Sequence, residues 1–208
     1  GTDSEEIPVS LEGNSDSFRM KLSFLPNGNC VILPNINGRG YGFFKITEGE
    51  SSGLWSVLRS SEDEVLKGSL LITLYENLRW KTISPQGFRE EMLAYLPNES
   101  NSLLFSMALS YLGDCQRIFP SDSRPLEQVL WKIVTTNPVS QHRLQAFRLY
   151  RSIADSEEAV QRLYTLWQER KAPKDCTLSE SDYIGLSYML AMHLPEKADK
   201  IIATQLSR

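Results

Sequence analysis

The N-terminal quarter of the chain alternates apolar and polar positions with a period of two. In the stretch FRMKLSFL, which begins at Phe18, every second residue is apolar. This period is typical of a strand with one buried face. Asn27–Gly28 and Asn37–Gly38 are hairpin and turn signals between such runs. The pattern predicts short antiparallel strands, the second and third forming a hairpin, at residues 6–11, 18–25, 29–33 and 40–46.

After Ser51 the apolar period changes to 3.6, which predicts about eight or nine helices of about 10 to 18 residues. Capping boxes are expected at Ser61/Glu64, Asp155/Glu158 and Ser179/Asp182, Ser84–Pro85 is expected to open a helix, and Gly113 to end one. The predicted inward stripes are Leu66, Leu70, Leu74 and Leu78; Phe88, Met92 and Leu96; Leu103, Met107 and Tyr111; Leu126, Val129, Leu130 and Ile133; Leu144, Phe147 and Tyr150; Leu163 and Trp167; Ile201 and Ile202.

These patterns predict an α+β fold that is mainly α. Residues 1–50 are expected to form a β-rich, sandwich-like segment. Residues 51–208 are expected to form an α-helical array that is truncated at its C-terminus. Because the connectors are short, consecutive helices should be antiparallel pairs, as in HEAT-like α-solenoids.

Composition narrows the class of partner. The chain is 41% hydrophobic with a formal net charge of -4, so no strong positive field attracts nucleic acid. No apolar run approaches the roughly 20 residues that span a bilayer. The first residues carry no targeting pattern, and Gly1 in place of methionine suggests an expressed piece of a longer protein.

Candidate chemistry is sparse. The two histidines, His142 and His193, are too far apart for a His-Glu-x-x-His zinc site. His142 is interpreted as a surface residue near a helix start, and His193 as a residue of a last helical turn. Cys30, Cys115 and Cys176 form no Cys-x-x-Cys motif and are expected to be buried or half-buried thiols, with one disulfide left open. We therefore assign no catalytic, cofactor-binding or metal-ligating residue.

Two further features have competing interpretations. The glycines of GRGYG, Gly38, Gly40 and Gly42, resemble a phosphate loop, but a strand rather than a helix is expected to follow them, which favours a turn with close backbone approach. A set of basic side chains is expected to be solvated, or else to line a concave surface and bind a peptide carboxylate. Its members are Arg143, Arg148, Arg151, Arg162, Arg170 and Lys171.

Several stretches resemble the C-terminal region of zinc aminopeptidases of the aminopeptidase N family. The stretch ILPNINGRGYGFFKI matches the pattern PN-x-x-G-x-GYYR of a late strand of that family's small β-sandwich. LWSVLRS and the following segment to SYL match its next helices, with Ile83–Ser84 at a connection. LSESDYIGLSYMLAMHLPEKADKIIATQLSR resembles the end of the helical domain in bacterial members. The matching positions in the first pattern are Pro34, Asn35, Gly38, Gly40 and Tyr41.

The resemblance implies a non-catalytic region of a metallopeptidase that hydrolyses peptide bonds at N-termini. Zinc and the catalytic residues would belong to an upstream thermolysin-like domain of the same polypeptide, since no position here matches them. This chain would enclose the active-site cavity and help to select peptide substrates. The family also suggests a periplasmic or cell-envelope parent, although the sequence does not decide the compartment. The alternative is a free-standing helical-repeat scaffold that binds another protein.

Overall fold

The computed structural model describes residues 31–35, 38, 40 and 42–208. Within this part of the chain the secondary structure is helical, with nine α-helices and two short 3₁₀ turns at Leu96–Asn98 and Pro195–Lys197. The α-helices are α1 Glu48–Ser60, α2 Glu64–Arg79, α3 Pro85–Tyr95, α4 Ser102–Ile118, α5 Arg124–Thr136, α6 Ser140–Ile153, α7 Glu157–Glu169, α8 Glu180–His193 and α9 Ala198–Leu206.

The helices belong to one compact unit, Leu33–Arg208, and pack in two rows. The even-numbered helices α2, α4, α6 and α8 form a continuous row in which each contacts the next. The odd-numbered helices pack on them as hairpin partners, most extensively α5 on α6, and α9 packs on α8. The predicted helical array is therefore confirmed, and the antiparallel order of its pairs stays a prediction.

The even-numbered row is the more tightly packed of the two. A Cβ placed on Gly113 of α4 would lie 2.9 Å from Leu149 Cδ1 of α6, and one on Gly185 of α8 would lie 2.6 Å from Arg151 Nη1 of α6. Consecutive odd-numbered helices stay further apart. We call the even-numbered helices the inner row and α1, α3, α5 and α7 the outer row.

Helix start signals were predicted more accurately than stop signals. Ser84 caps α3 ahead of Pro85, and Ser179 forms its capping box with Asp182. The other two predicted boxes are displaced, because Asp63 and Ser156 provide the caps of α2 and α7. Gly113 does not end α4, which continues to Ile118 because tertiary packing outweighs its low helix propensity.

Most predicted apolar stripes lie in the core, but that of α4 is wrong. Leu103 is 76% exposed, and Met107 and Tyr111 are only half-buried. Helix α4 has apolar residues on two faces, and periodicity alone does not say which face is buried. The buried one carries Leu104, Phe105, Ala108, Leu112 and Cys115.

The predicted β segment is contradicted wherever it can be compared. The described residues contain no strand, so the strand predicted at 40–46 is wrong, and residues 31–33 are not in a strand either. The strands predicted at 6–11 and 18–25, and the start of the third, lie outside the described residues. The α+β fold class is corrected to an all-helical one for the described chain, while the proposed domain division at residue 50 stays a prediction.

The segment before α1 is extended but is held by side chains instead of a neighbouring strand. Fully buried Asn77 of α2 donates to Phe44 O (2.8 Å) and accepts from Ile46 N (2.9 Å). A side-chain amide thus makes the two hydrogen bonds that a strand neighbour would supply. A strand-like sequence therefore folds here without a sheet.

The glycine-rich stretch forms a turn, as expected. Gly38 N donates to Asn35 O at 2.9 Å, and both residues have positive φ. A Cβ on Gly40 would lie 2.8 Å from Asn35 Oδ1, which confirms the close approach there, whereas Gly42 has no such neighbour. The expected strand after Gly42 is replaced by an extended segment that leads into α1, whose cap Thr47 forms a full capping box with Glu50.

Candidate functional site

Most of the exposed large hydrophobic side chains lie on the helices of the inner row. We call the solvent-facing side of this row the inner face. At its α2/α4 end it is apolar. Val65 is 65% exposed, Ile72 49% and Leu103 76%. Gly68 of α2 lies beside Leu104 and Met107 of α4, and Tyr75 of α2 stacks on Tyr111 of α4, so the two helices run in the same direction. Exposed apolar side chains that form a patch are characteristic of binding surfaces.

Further along the same seam, two tyrosines form a flat aromatic pair. The rings of Tyr75 and Tyr111 stack with centroids 3.9 Å apart and planes 5° from parallel. The Tyr75 hydroxyl donates to Asp114 at 2.7 Å, and Asp114 also pairs with Arg117. Burial and the hydrogen bond to Asp114 raise the pKa of Tyr75 to about 12, so the phenol stays protonated at neutral pH. Arg79 lies over the ring of Tyr75 at 6.0 Å.

A groove of about 490 Å³ separates the C-terminal halves of α4 and α6. Ser110, Gly113 and Asp114 line one wall, and Leu149 and Ser152 line the other. Gly113 keeps this wall free of a side chain at the point where Leu149 approaches. The groove thus offers hydroxyl and carboxylate acceptors beside an apolar surface, a combination that suits a peptide segment.

The inner face becomes cationic at α6. Arg148 binds Asp182 of α8 with two hydrogen bonds of 2.9 and 3.1 Å, and is half exposed. Arg151 donates to Asp182 O at 3.0 Å and lies over Gly185. The hydrogen bond from Arg148, reinforced by Ser179, lowers the pKa of Asp182 to about 2. Asp182 is thus a permanently charged anchor for the two guanidinium groups.

The other basic residues predicted as candidates do not share this cluster. Arg143 is largely buried and donates to Asn137 O and Asp175 O. Arg162 donates to Tyr150 Oη at 2.8 Å and stacks on Trp131 of the outer row. Arg170 pairs with Glu180, and Lys171 is exposed after α7. Of the predicted set, the structure therefore brings only Arg148 and Arg151 together on the inner face.

The two histidines differ from each other. His193 lies in the last turn of α8, as expected, and is exposed. His142 was expected at the surface, but it is fully buried in the first turn of α6, with Nε2 2.9 Å from Ser102 Oγ. The surface prediction failed because a lone histidine among polar residues gives no periodic signal of burial.

Among the described residues, the Ser102–His142 pair lacks the third group of a hydrolytic triad. The Nδ1 atom of His142 has no hydrogen-bond partner there, so no described carboxylate orients the ring. Backbone N–H groups at a helix start can stabilise an oxyanion. At the start of α4, however, Leu103 N and Leu104 N already donate to Asn101 Oδ1. The pair joins the first turn of α4 to the first turn of α6.

Two buried glutamates, which the sequence did not single out, hold helix ends together. Glu127 of α5 accepts from Asp155 N, Ser156 N and the hydroxyls of Ser123 and Ser156, and so bridges α5 to the start of α7. Glu99 accepts from Tyr95, Lys67 and Asn101 N. Burial alone would raise the pKa of each carboxyl, but these hydrogen bonds outweigh it and lower the pKa.

Two of the three cysteines lie in the described part of the chain. Cys115 is buried and Cys176 half-buried, both as free thiols, in agreement with the expectation, while Cys30 lies outside the described residues. No group of three or more His, Cys, Asp or Glu side chains among the described residues is arranged to hold a metal ion. None of the described helices combines the length and the apolarity that crossing a bilayer requires.

Comparisons with family models, with curated proteins and with solved structures give no match for this chain.

Proposed function

We propose that this chain is a non-catalytic helical region of a zinc-dependent aminopeptidase, and that its inner face lines the cavity in which peptide substrates bind. The proposed activity is inferred from the resemblance of its sequence stretches to the aminopeptidase N family. The structural support is the array itself, because most of its exposed large hydrophobic side chains lie on the inner row. That gathering is the single observation on which the proposal depends.

In this proposal the chain contributes shape and binding. Hydrolysis takes place in an upstream thermolysin-like domain, where zinc supplies Lewis-acid activation of water and of the carbonyl. The inner face contributes an apolar end at α2 and α4 and a cationic end at Arg148 and Arg151. Binding energy from these remote contacts can orient a peptide at the reacting centre.

The test begins with the coding sequence upstream of Thr2. The proposal expects a His-Glu-x-x-His motif followed about twenty residues later by a glutamate. The 208-residue chain alone is expected to show no zinc-dependent hydrolysis of aminoacyl amides, whereas the longer polypeptide is expected to hydrolyse them. An upstream sequence without zinc ligands, or zinc-dependent turnover by the 208-residue chain itself, would refute the proposal.

A second candidate is a free-standing helical-repeat scaffold that binds another protein. The exposed apolar side chains of α2 and α4 favour it, because such surface on a soluble array is typical of protein interfaces. The two candidates differ in the upstream sequence. A start codon immediately before this chain supports the scaffold and excludes the peptidase.

A further inference from the structure

We propose that His142 is an acid-sensitive lock between α4 and α6, so that proton uptake by its ring loosens the joint between these two inner helices. This inference is independent of the proposed function, because it depends only on contacts within the array. His142 is the third residue of α6, and its side chain is completely buried. Its ring lies flat on Phe105 of α4, with centroids 4.0 Å apart and planes 6° from parallel.

The ring has one polar contact across the joint. Nε2 lies 2.9 Å from Ser102 Oγ, in the first turn of α4. Nδ1 is buried and has no hydrogen-bond partner among the described residues. A neutral ring can carry its proton on Nε2 and leave Nδ1 as an unprotonated acceptor, which costs less than a buried charged donor without a partner. An imidazolium carries a proton on both nitrogens, so protonation would bury a charged N–H for which the described residues offer no acceptor.

The electrostatic surroundings offset only part of that cost. Glu99 is the acidic residue that favours the charged ring and so acts against the effect of burial. Its carboxylate, however, already binds Lys67 of α2, Tyr95 of α3 and Asn101 N. On α6 itself, the guanidinium of Arg143 points to Asn137 and Asp175. The first turn of α6 also presents the positive end of the helix dipole, which disfavours a cation.

The direction of the pH effect follows from burial. Burial lowers the pKa of His142 below its ordinary 6.5, with Glu99 acting in the opposite direction. The unfolded chain therefore binds a proton that the native chain resists, and native stability falls as pH decreases through and below 6.5. The loss begins at the α4–α6 joint, because that is where the charge would be buried.

The test uses the complete 208-residue chain and its two histidines. Urea unfolding is measured at pH 7.5 and pH 5.0 for the wild type, His142→Phe, His142→Gln and His193→Gln. The folding equilibrium constant of the wild type should fall by up to about 30-fold more than that of His142→Phe, the limit set by an unfolded-state pKa of about 6.5. His193→Gln should retain the wild-type dependence. An equal pH dependence in wild type and His142→Phe would overturn the proposal.

Two further measurements, which need no His142 variant, keep the proposal testable if the His142 variants do not fold. In an NMR titration, the histidine signal that persists in His193→Gln should titrate below the pH of a free imidazole; titration at or above it would overturn the lock. Hydrogen exchange at pH 5.0, corrected for intrinsic rates, should show the first turns of α4 and α6 opening before α2 and α8. Uniform opening of all four inner helices would also contradict it.

Discussion

The inner and outer rows of the array are joined in different ways. Inner helices approach closely because glycines leave room, at Gly113 beside Leu149 and at Gly185 beside Arg151. Outer helices α5 and α7 are separated by a groove of about 620 Å³ and are linked through the buried carboxylate of Glu127. Close approach at glycines is thus a feature of the inner row, whereas the outer helices α5 and α7 are linked through a buried carboxylate.

The largest expected difference is in α4, where the adjacent residues Leu103 and Leu104 lie on opposite faces of the helix. Leu104→Ala removes a fully packed side chain and should lower the free energy of unfolding by about 3 kcal/mol. Leu103→Ala, on the inner face, should change it by less than about 0.5 kcal/mol. Urea unfolding of both variants measures the difference. Equal losses would mean that the inner face is part of the core.

The outer row is tested at Glu127. Glu127→Ala leaves two backbone N–H groups at the start of α7 without their acceptor and should lower the free energy of unfolding by about 2–4 kcal/mol. Exposed Glu157→Ala is the matched control in the same groove and should cost less than about 0.5 kcal/mol.

The same carboxylate predicts a pH effect. The lowered pKa of Glu127 means that its contribution is present above the ordinary pKa of 4.5 and is lost as pH falls through the native value. Wild type should therefore lose more stability than Glu127→Gln between pH 5 and pH 3, as followed by thermal or urea unfolding. Parallel losses in the two proteins would show that the carboxylate is not held in its charged form.

The attachment of the segment before α1 to the array is tested at Asn77. Asn77→Ala removes the amide that binds Phe44 O and Ile46 N, and should lower the free energy of unfolding by about 2 kcal/mol. The peptide bonds of residues 42–47 should also become more sensitive to limited proteolysis. Asn98→Ala, which removes an exposed amide bound within its own helix turn, should leave both properties nearly unchanged.

The smallest expected effect distinguishes the glycines of the two rows. A Cβ at Gly185 would push Arg151 from its hydrogen bond with Asp182 O, so Gly185→Ala should lower the free energy of unfolding by about 1 kcal/mol despite better helix propensity. Gly49 of α1 has open space, and Gly49→Ala should raise it by about 0.5 kcal/mol. Effects of the same sign would argue against close packing of the inner row.

The sequence carried enough information for the helices and most of the core, because each helix has a stripe at a period of 3.6 and several have local caps. It did not carry enough for the segment at 40–46, where alternating residues look like a strand but Asn77 supplies the hydrogen bonds. Leu103 and Leu104 show the second limit, since two apolar faces on one helix cannot be ranked locally. His142, Glu99 and Glu127 show the third, because buried polar contacts join residues far apart in sequence.

The most direct test of the inner face as a peptide-binding surface uses the longer polypeptide that the proposal requires. Ile72→Asp places a charge on the exposed apolar end of the inner face, and Thr135→Asp places one in the outer groove. Values of kcat/KM are compared for peptides of about ten residues and for a single aminoacyl amide. The account predicts that Ile72→Asp lowers kcat/KM about tenfold (about 1.4 kcal/mol) for the peptides alone, and that Thr135→Asp changes neither. Equal effects of the two substitutions, or no effect of Ile72→Asp on the peptides, would contradict it.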